Sequence, residues 1–168
     1  MNNELRELLT TATTGKGVVD GVQLNHSSWS NPLYLTSVYP GFNAVHEDGQ
    51  SYDYEYVPMA VSKAAKQNDL SQDFSFTIQD LNEIVGVYLD LIPLDSEEKP
   101  SVTLRTFVYR ADGSISDLQD GPYDLEAKDI TTEPEGCTFT ASPPLTNFSG
   151  TGELFTFSRF PSSLAYAT

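Results

Sequence analysis

The amino-acid sequence predicts a mainly β fold with one packed α-helix, and two adjoining patterns carry that prediction. Residues 74–79 alternate apolar and polar side chains, which is the period of two expected of a strand with one buried face. Residues 81–92 then place apolar side chains at spacings of three and four, as on one face of a helix. This apolar stripe consists of Leu81, Ile84, Val85, Tyr88, Leu89 and Ile92. The chain is therefore expected to pass directly from a half-buried strand into an amphipathic helix.

The residues that flank the stripe set the limits of the helix. Asp80 can cap its N-terminus, and Glu83 can bond back to the backbone of the cap residue, as in a capping box. Pro93 cannot continue a helix and disfavours helical geometry in the residue before it. The sequence therefore predicts a helix over residues 81–91, within outer limits of about 80 and 92.

The start of the chain is predicted to be an arm. Apolar residues at helical spacing favour a short amphipathic helix over about residues 3–11, which is marginal in isolation because of its length. A segment rich in threonine and glycine follows and is typical of a flexible hinge. We therefore divide the chain into a helical arm with its hinge, residues 1–17, and one β domain, residues 18–168.

Two β-prone runs, residues 18–24 and 33–39, are separated by a polar loop, and we expect them to pair antiparallel. Asp48-Gly49 is the expected apex of a turn that leads into a tyrosine-rich strand. Pro58 interrupts that strand and indicates a bulge or an edge position, because proline has no N–H to donate to a ladder. Residues 62–71 are predicted to form a polar, solvent-facing loop.

The second half of the chain adds further β signals. Residues 102–109 carry bulky side chains at both parities, as in a strand that is covered on two sides. Residues 111–113 indicate a turn, and residues 137–141 suggest a strand that is ended by Pro143-Pro144. Residues 117–139 alternate only weakly and hold seven acidic residues against one basic residue, so we expect a strongly negative surface there.

Charge and composition exclude several classes of function. The 168 residues include 9 basic and 24 acidic ones, for a net charge of −15, which opposes binding to a nucleic acid backbone. The single Cys137 cannot form an intrachain disulfide, and His26 and His46 do not add a recognisable zinc spacing. No segment is apolar enough for a signal-peptide core or a membrane span, so we expect a protein made in a cytoplasm.

Catalytic signatures are missing from the sequence, and we expect no enzymatic activity. His26 and His46 lie in no nucleophile motif, and Gly15-Lys16-Gly17 lacks the spacing of a phosphate-binding loop. The acids between Asp112 and Asp120 do not follow the pattern of a calcium loop, so a hydrated charged surface is the simpler interpretation. The sequence therefore predicts no catalytic, cofactor-binding or metal-binding residues.

Four aromatic residues leave two interpretations open. Tyr52, Tyr54 and Tyr56 share one face of a predicted strand, and Trp29 lies in a polar loop. Exposed, they would suit stacking on sugar rings or anchoring of a protein partner. Packed beneath a neighbouring sheet, they would be core residues, and we favour this second interpretation for the tyrosines.

The order of these segments resembles a family of bacteriophage tail proteins, the minor-tail or distal-tail type located where the tail tube meets the tip. The resemblance spans residues 22–161 and lies in structural patterns that are specific only in combination. They are Val22-Gln23-Leu24-Asn25-His26, Asn31-Pro32-Leu33-Tyr34-Leu35, the turn at Asp48-Gly49, Phe74-Ser75-Phe76-Thr77-Ile78-Gln79-Asp80-Leu81-Asn82, Val102-Thr103-Leu104-Arg105-Thr106-Phe107-Val108-Tyr109 and Phe157-Ser158-Arg159-Phe160-Pro161. The arm and the acidic segment after Asp112 are longer than the family pattern.

The resemblance implies a tail-tube-like β-sandwich with one packed helix and no enzymatic activity. It implies a virion structural protein that assembles in the cytoplasm of a host bacterium into a ring, expected to be six-fold, in contact with neighbouring tail proteins. The genome would pass through that ring without specific binding. Part of the acidic set, within residues 112–135 or 47–55, is then expected to line the channel.

A binding module is the alternative interpretation of the same features. In that version the domain binds carbohydrate, and Tyr52, Tyr54, Tyr56 and Trp29 form its platform. The two versions differ in oligomeric state and in retention on a glycan column. An enzyme comes third, because no nucleophile, metal or cofactor motif is present.

Overall fold

The fold is mainly β with one packed helix, as predicted. The computed structural model describes residues 6–8, 10, 16–63, 73–79, 84–93, 95–116, 118, 120–133 and 136–144. Its strands are β1 (Gly17–Asn25), β2 (Leu33–Thr36), β3 (Gly41–Val45), β4 (Ser51–Tyr56), β5 (Met59–Lys63), β6 (Phe74–Ile78), β7 (Ser101–Tyr109), β8 (Asp120–Glu133) and β9 (Gly136–Ser142). The packed helix is Ile84–Asp90, between β6 and β7, and residues 6–8 and 10 are also helical.

All nine strands belong to one hydrogen-bonded sheet, in the order β3-β4-β2-β1-β7-β8-β9-β6-β5. β4 and β5 are seven strand spacings apart in that order, which would be roughly 34 Å in a flat sheet. Only Val57 and Pro58 connect them in the chain, and so short a connection spans roughly 10 Å. The sheet therefore curls until its two ends come close together, and one sheet supplies both layers of the fold.

The main apolar cluster lies inside this curl. It brings Val22 and Leu104, from the middle of the sheet, together with Phe76 and Phe139 from the other layer. The ring centroids of Phe76 and Phe139 are 4.9 Å apart, in a stacked arrangement. On β6 the predicted alternation is confirmed, because Phe74, Phe76 and Ile78 are buried while the intervening residues are not.

The helix covers part of this core with residues of the predicted apolar stripe. Val85 is the buried residue of the helix, while Ile84, Tyr88 and Leu89 are partly buried against the core cluster. The helical conformation is confirmed over Ile84–Asp90, and Leu91 lies in the turn that follows. Residues 80–83, with the predicted capping box, lie outside the described residues.

The predicted features of the first half of the chain are largely confirmed. β1 and β2 pair antiparallel, and β3 and β4 pair antiparallel around the turn at Asp48-Gly49. Pro58 marks an edge position, since β5 begins immediately after it at the end of the sheet. The run 33–39 was predicted too long, because β2 ends at Thr36 and a turn follows.

One predicted loop was too long, and one segment without a predicted conformation forms a strand. Ser62 and Lys63 belong to β5 and not to the predicted loop, because they continue its pairing with β6; residues 64–72 lie outside the described residues. The weakly alternating acidic segment forms β8, a strand of 14 residues. The division into an arm, 1–17, and a domain, 18–168, stays a prediction.

Candidate functional site: an acidic outer sheet face

The face of β8, β9 and β6 that points away from the core carries mainly polar side chains. On β8, Leu125 and Ala127 are buried on the core side, so Asp124 and Glu126 lie on the opposite side. Residues directly opposite each other in an antiparallel pair share a face, which extends this surface across β9 to β6. We call the following residues the outer face: Asp124, Glu126, Lys128, Thr138, Thr140, Ser75 and Thr77.

β8 gives this surface its negative charge. Its acidic residues are Asp120, Asp124, Glu126, Asp129 and Glu133, with Lys128 as the only basic residue of the strand. The Thr103 hydroxyl donates to Asp124 Oδ1 at 2.9 Å, which fixes one carboxylate beside β7. Part of the negative surface predicted within residues 112–135 therefore lies on the outer side of β8, at Asp124 and Glu126.

The second acidic segment, residues 47–55, is divided between two roles. Asp53 and Glu55 are exposed on β4, where Asn43 Nδ2 donates to Asp53 Oδ1 at 2.8 Å. Glu47 instead forms an ion pair with Arg105. Of the acids in this segment, Glu47 is thus held by the fold, while Asp53 and Glu55 remain directed to solvent.

The outer face ends at β7, because a second layer covers the same side of β1 and β7. Val19, Ala44, Tyr54 and Phe107 form a second apolar cluster there. Tyr54 lies directly over Gly21, where an added Cβ would be 2.5 Å from Tyr54 Cε1. The β3–β4 hairpin therefore packs closely on the centre of the sheet because Gly21 has no side chain.

Arg105 joins this second layer to the sheet. Its Nε donates to Glu47 Oε2 at 2.9 Å, its Nη2 donates to Glu47 Oε1 at 2.6 Å, and its Nη1 donates to Gln23 Oε1 at 2.7 Å. The hydrogen bonds from Arg105 lower the pKa of the Glu47 carboxyl to about 2. Burial lowers the pKa of Arg105, but Glu47 and Tyr54 together outweigh burial and raise that pKa above its ordinary value. Both groups are therefore charged at neutral pH.

His46 completes the Arg105 cluster and has a structural role. Its Nε2 lies 2.8 Å from the Tyr54 hydroxyl, and burial is the main cause of a lowered His46 pKa. Its ring also packs on Tyr52, with centroids 4.2 Å apart, and on Tyr34 at 5.6 Å. A neutral imidazole between aromatic rings stabilises the hairpin, and no sequence motif had indicated this contact.

His26 is likewise held by the backbone. Ser28 N donates to His26 Nδ1 at 3.1 Å, so Nδ1 is the acceptor and Nε2 carries the proton. Nε2 then donates to the Glu98 carbonyl at 3.2 Å. His26 thereby ties the loop after β1 to the segment before β7.

The structure separates the four aromatic residues of the predicted carbohydrate platform. Tyr54 is buried in the second cluster, which confirms the packed interpretation for the central tyrosine of the strand. Trp29 is buried in the main cluster, edge-on to Tyr88 with centroids 5.1 Å apart. Tyr52 and Tyr56 are half-buried. The four rings therefore share no exposed surface.

Two further searches cover the described part of the chain, one for groups of metal-binding side chains and one for membrane-spanning helices. No group of three or more His, Cys, Asp or Glu side chains there is placed to hold a metal ion. Asp112 accepts hydrogen bonds from the Ser114 backbone and hydroxyl at 2.9 and 2.7 Å, so it stabilises its own turn. Among the same residues, no helix has the length and apolar character needed to cross a membrane.

Large apolar side chains are exposed at several separate places. Tyr39, in the turn after β2, is 78% exposed, and Val87 and Leu91 on the helix side are 56% and 55% exposed. Val18 on β1 is half exposed. Together these residues offer apolar contact area outside the acidic outer face.

Comparison of the chain with models of protein families finds no matching family. A search of curated proteins likewise finds no match.

Proposed function

We propose that this chain is a structural subunit of a long-tailed bacteriophage tail that assembles into a ring near the distal end. The order of the sequence segments, which resembles that of phage tail proteins, supports the assignment to this class of protein. The polar, acidic outer face supports a role as the wall of a DNA channel. In this proposal the protein has no enzymatic activity, contacts further copies of itself and neighbouring tail proteins, and resides in the virion tail.

The outer face suits the wall of a channel for DNA. Carboxylates repel phosphate, and the hydroxyls of Thr138 and Thr140 add polarity without positive charge. A DNA-binding surface requires the opposite composition, with clustered Lys and Arg that release counterions. Lys128 is the one basic side chain of the outer face, so genome passage without adhesion is the behaviour that its composition favours.

Electrostatic repulsion then restricts where the subunits can touch. Each copy carries −15, and a ring multiplies that charge, so joints that bury carboxylates would be strongly opposed. The cores of protein interfaces are depleted in charge and enriched in aromatic and apolar side chains. We assign the joints to the exposed apolar residues Val18, Tyr39, Val87 and Leu91, which are not part of the outer face.

A charge reversal tests the channel role. Replacement of Asp124 and Glu126 by lysine should leave tails normal in shape but slow the ejection of DNA, most strongly at low salt, where Lys–phosphate contacts are strongest. A matched control reverses Asp90 and Glu97, which are also exposed and give the same change in net charge. If the outer-face variant ejects DNA as fast as the control at low salt, the outer face does not line the channel.

The carbohydrate-binding alternative has less structural support than the phage-tail proposal. Tyr54 and Trp29 are buried in different clusters, so the predicted platform would have to be rebuilt from other residues. Retention of the isolated protein on a glycan column, combined with a monomeric state, would favour this alternative over the ring.

A further inference from the structure

The β3–β4 hairpin is attached to the rest of the sheet by a short ladder. β4 pairs with β2 at two positions, Leu35 with Glu55 and Thr36 with Tyr56. β3 and β4, in contrast, pair with each other at five positions. Because its own ladder is longer than its attachment, the hairpin can open as a unit about the contact with β2.

Arg105 of β7 is the anchor for the turn of this hairpin. It binds Glu47 of the turn directly. It also hydrogen-bonds to the Tyr54 hydroxyl, which lies 2.8 Å from His46 Nε2. A guanidinium can only donate, so His46 Nε2 is the partner that accepts the Tyr54 proton. The neutral form of His46 therefore completes the contact between the hairpin and β7.

Protonation of His46 would break this arrangement. Both ring nitrogens of an imidazolium are donors, so the Tyr54 proton would lose its acceptor inside a buried cluster. The new positive charge would also lie near the guanidinium of Arg105. Burial, followed by the charge of Arg105, accordingly lowers the pKa of His46. Since His46 belongs to the hairpin and Arg105 to the sheet beneath it, the repulsion acts across the contact between the two layers.

The other ionisable groups of this cluster keep their charge between pH 4.5 and 6.5. Those that face His46 are Tyr34 from β2, Tyr52 and Tyr54 from β4, Arg105 from β7, and Glu47 and Asp48 from the turn. The tyrosines are uncharged there, because burial or, at Tyr52, the bond to Asp48 raises the pKa above 10.0. Bonds from Arg105 hold the pKa of Glu47 at about 2. Hydrogen bonds from a backbone N–H and from Tyr52 keep the pKa of Asp48 below 3.8. Of these groups, His46 alone changes its charge in this range.

We propose that His46 is a proton-sensitive latch, and that its protonation releases the β3–β4 hairpin from β1 and β7 while the main core stays closed. The closed form binds this proton less readily than the open form, in which the imidazole is hydrated. The contact is therefore fully present above pH 6.5, the ordinary pKa of histidine, and is lost as the pH falls through the lowered pKa of the closed form. The released face of the sheet carries Val19, Gly21 and Phe107. Acid thus exposes apolar surface that the hairpin covers at neutral pH, whether or not the chain forms a ring.

Labelling of an introduced thiol tests the latch. Val19→Cys places a thiol beneath the hairpin, and the native Cys137 in the main cluster reports on unfolding of the whole domain. Each labelling rate is divided by that of the urea-unfolded chain at the same pH, which removes the titration of the thiol itself. The relative rate at position 19 should rise about threefold or more from pH 7 to pH 5, while that of Cys137 changes by less than about twofold. An unchanged rate at position 19 would overturn the proposal. Equal changes at both thiols would also overturn it, because the whole domain would then be opening.

Ala44→Cys repeats the measurement from the hairpin side of the same contact. Ala44 is buried in the second cluster, on β3, and cysteine is only slightly larger than alanine. This variant therefore serves even if Val19→Cys does not fold. Its thiol should show the same response to pH as position 19. A response at position 19 without one at position 44 would mean that β1 moves and the hairpin does not, which would contradict the latch.

Histidine variants identify the group that takes up the proton. His46→Gln, combined with either cysteine variant, keeps an acceptor for the Tyr54 hydroxyl but cannot become charged, so labelling of the introduced thiol should lose its dependence on pH. His26→Gln is the matched control, since His26 is the other histidine of the chain, and it should retain the response. A response that survives in His46→Gln, or that disappears equally in His26→Gln, would rule out His46 as the latch.

Discussion

β7 and β8 are neighbours in the sheet and pair with each other, yet their surroundings are opposite. β7 is buried on both faces over most of its length, as its bulky side chains predicted. β8 is the longer strand, and its buried residues are Leu125 and Ala127 alone. The second layer, formed by the β3–β4 hairpin, ends at β7 and leaves β8 open. One sheet face therefore serves as an interior at one strand and as a charged surface at the next.

The contacts at the boundary explain why the layer ends there. The register between β7 and β8 shifts between Leu104 and Thr106, so Arg105 lies at the irregularity. Arg105 is directed to Glu47 of the hairpin, while Thr103, two residues earlier, donates to Asp124 of β8. The covered and uncovered regions are thus separated within three residues of one strand. The following substitutions test this contrast, beginning with the largest expected effect.

The two faces of the helix should differ most, because one face packs on the core and the other is exposed. Val85 is 1% exposed, so Val85→Asp buries an unpaired carboxylate and should lower the free energy of unfolding by about 4 kcal/mol or more. Val87→Asp is the matched control on the same helix, 56% exposed, and should cost less than about 0.5 kcal/mol. Urea unfolding at pH 7 measures both, and equal effects would contradict the assigned helix orientation.

The second layer over β7 should depend on its ion pair. Glu47→Gln leaves the buried guanidinium of Arg105 without an anion and should cost about 2–3 kcal/mol, less than for a fully buried pair because Glu47 is partly exposed. Glu55→Gln, at an exposed position of β4, should change stability by less than about 0.5 kcal/mol. Thermal unfolding compares the two variants. A Glu47 variant as stable as the control would show that the pair does not hold the hairpin.

Close packing of the hairpin predicts a contrast between two glycines of β1. Gly21→Ala places a Cβ against the Tyr54 ring and should cost about 1–3 kcal/mol. Gly17→Ala meets no atom within 4 Å and should be neutral or slightly stabilising, since it restricts the unfolded chain. Both are read from urea unfolding. Similar results for the two variants would mean that Tyr54 does not pack over Gly21.

The pH dependence of stability sharpens the role of Glu47. Its pKa falls from an ordinary value of 4.5 to about 2 on folding, so its contribution is fully present above pH 4.5. That contribution is lost as the pH falls through about 2, because protonation ends the attraction to Arg105. The stability difference between wild type and Glu47→Gln should therefore shrink between pH 4.5 and 2. A difference that stays constant over this range would assign the effect to another cause.

The smallest effects are expected on the outer face of β8. Asp124→Asn and Glu126→Gln together should change the free energy of unfolding by less than about 0.5 kcal/mol, because exposed carboxylates contribute little to folding. A loss comparable with that of Glu47→Gln would show that the acidic face is required for the fold. The contrast between β7 and β8 would then disappear.

Local patterns carried most of what the sequence predicted correctly. The alternation of β6, the turn at Asp48-Gly49 and the edge marked by Pro58 depend on neighbouring residues, so periodicity was sufficient to find them. The acidic character of β8 was also predicted, but its strand was not, because β8 has few buried positions.

The sequence patterns did not predict the contacts between residues that are far apart in the chain. Glu47 and Arg105 are 58 residues apart, and no period links them. The one available signal was an arginine in the middle of a strand with bulk on both faces, since a buried guanidinium requires an anion. The sheet order and the second layer depend on many such contacts. For the same reason, although the burial of Tyr54 was the favoured interpretation, its packing over Gly21 emerged only with the structure.

Electron microscopy of the assembled protein, at a resolution that places the strands, tests the central claim most directly. The account predicts a closed ring whose inner wall is formed by the outer face of β8, with Asp124 and Glu126 towards the lumen and apolar residues such as Val87 and Leu91 at the joints. A protein that stays monomeric at all concentrations, or a ring with the acidic face of β8 turned to its exterior, would contradict it.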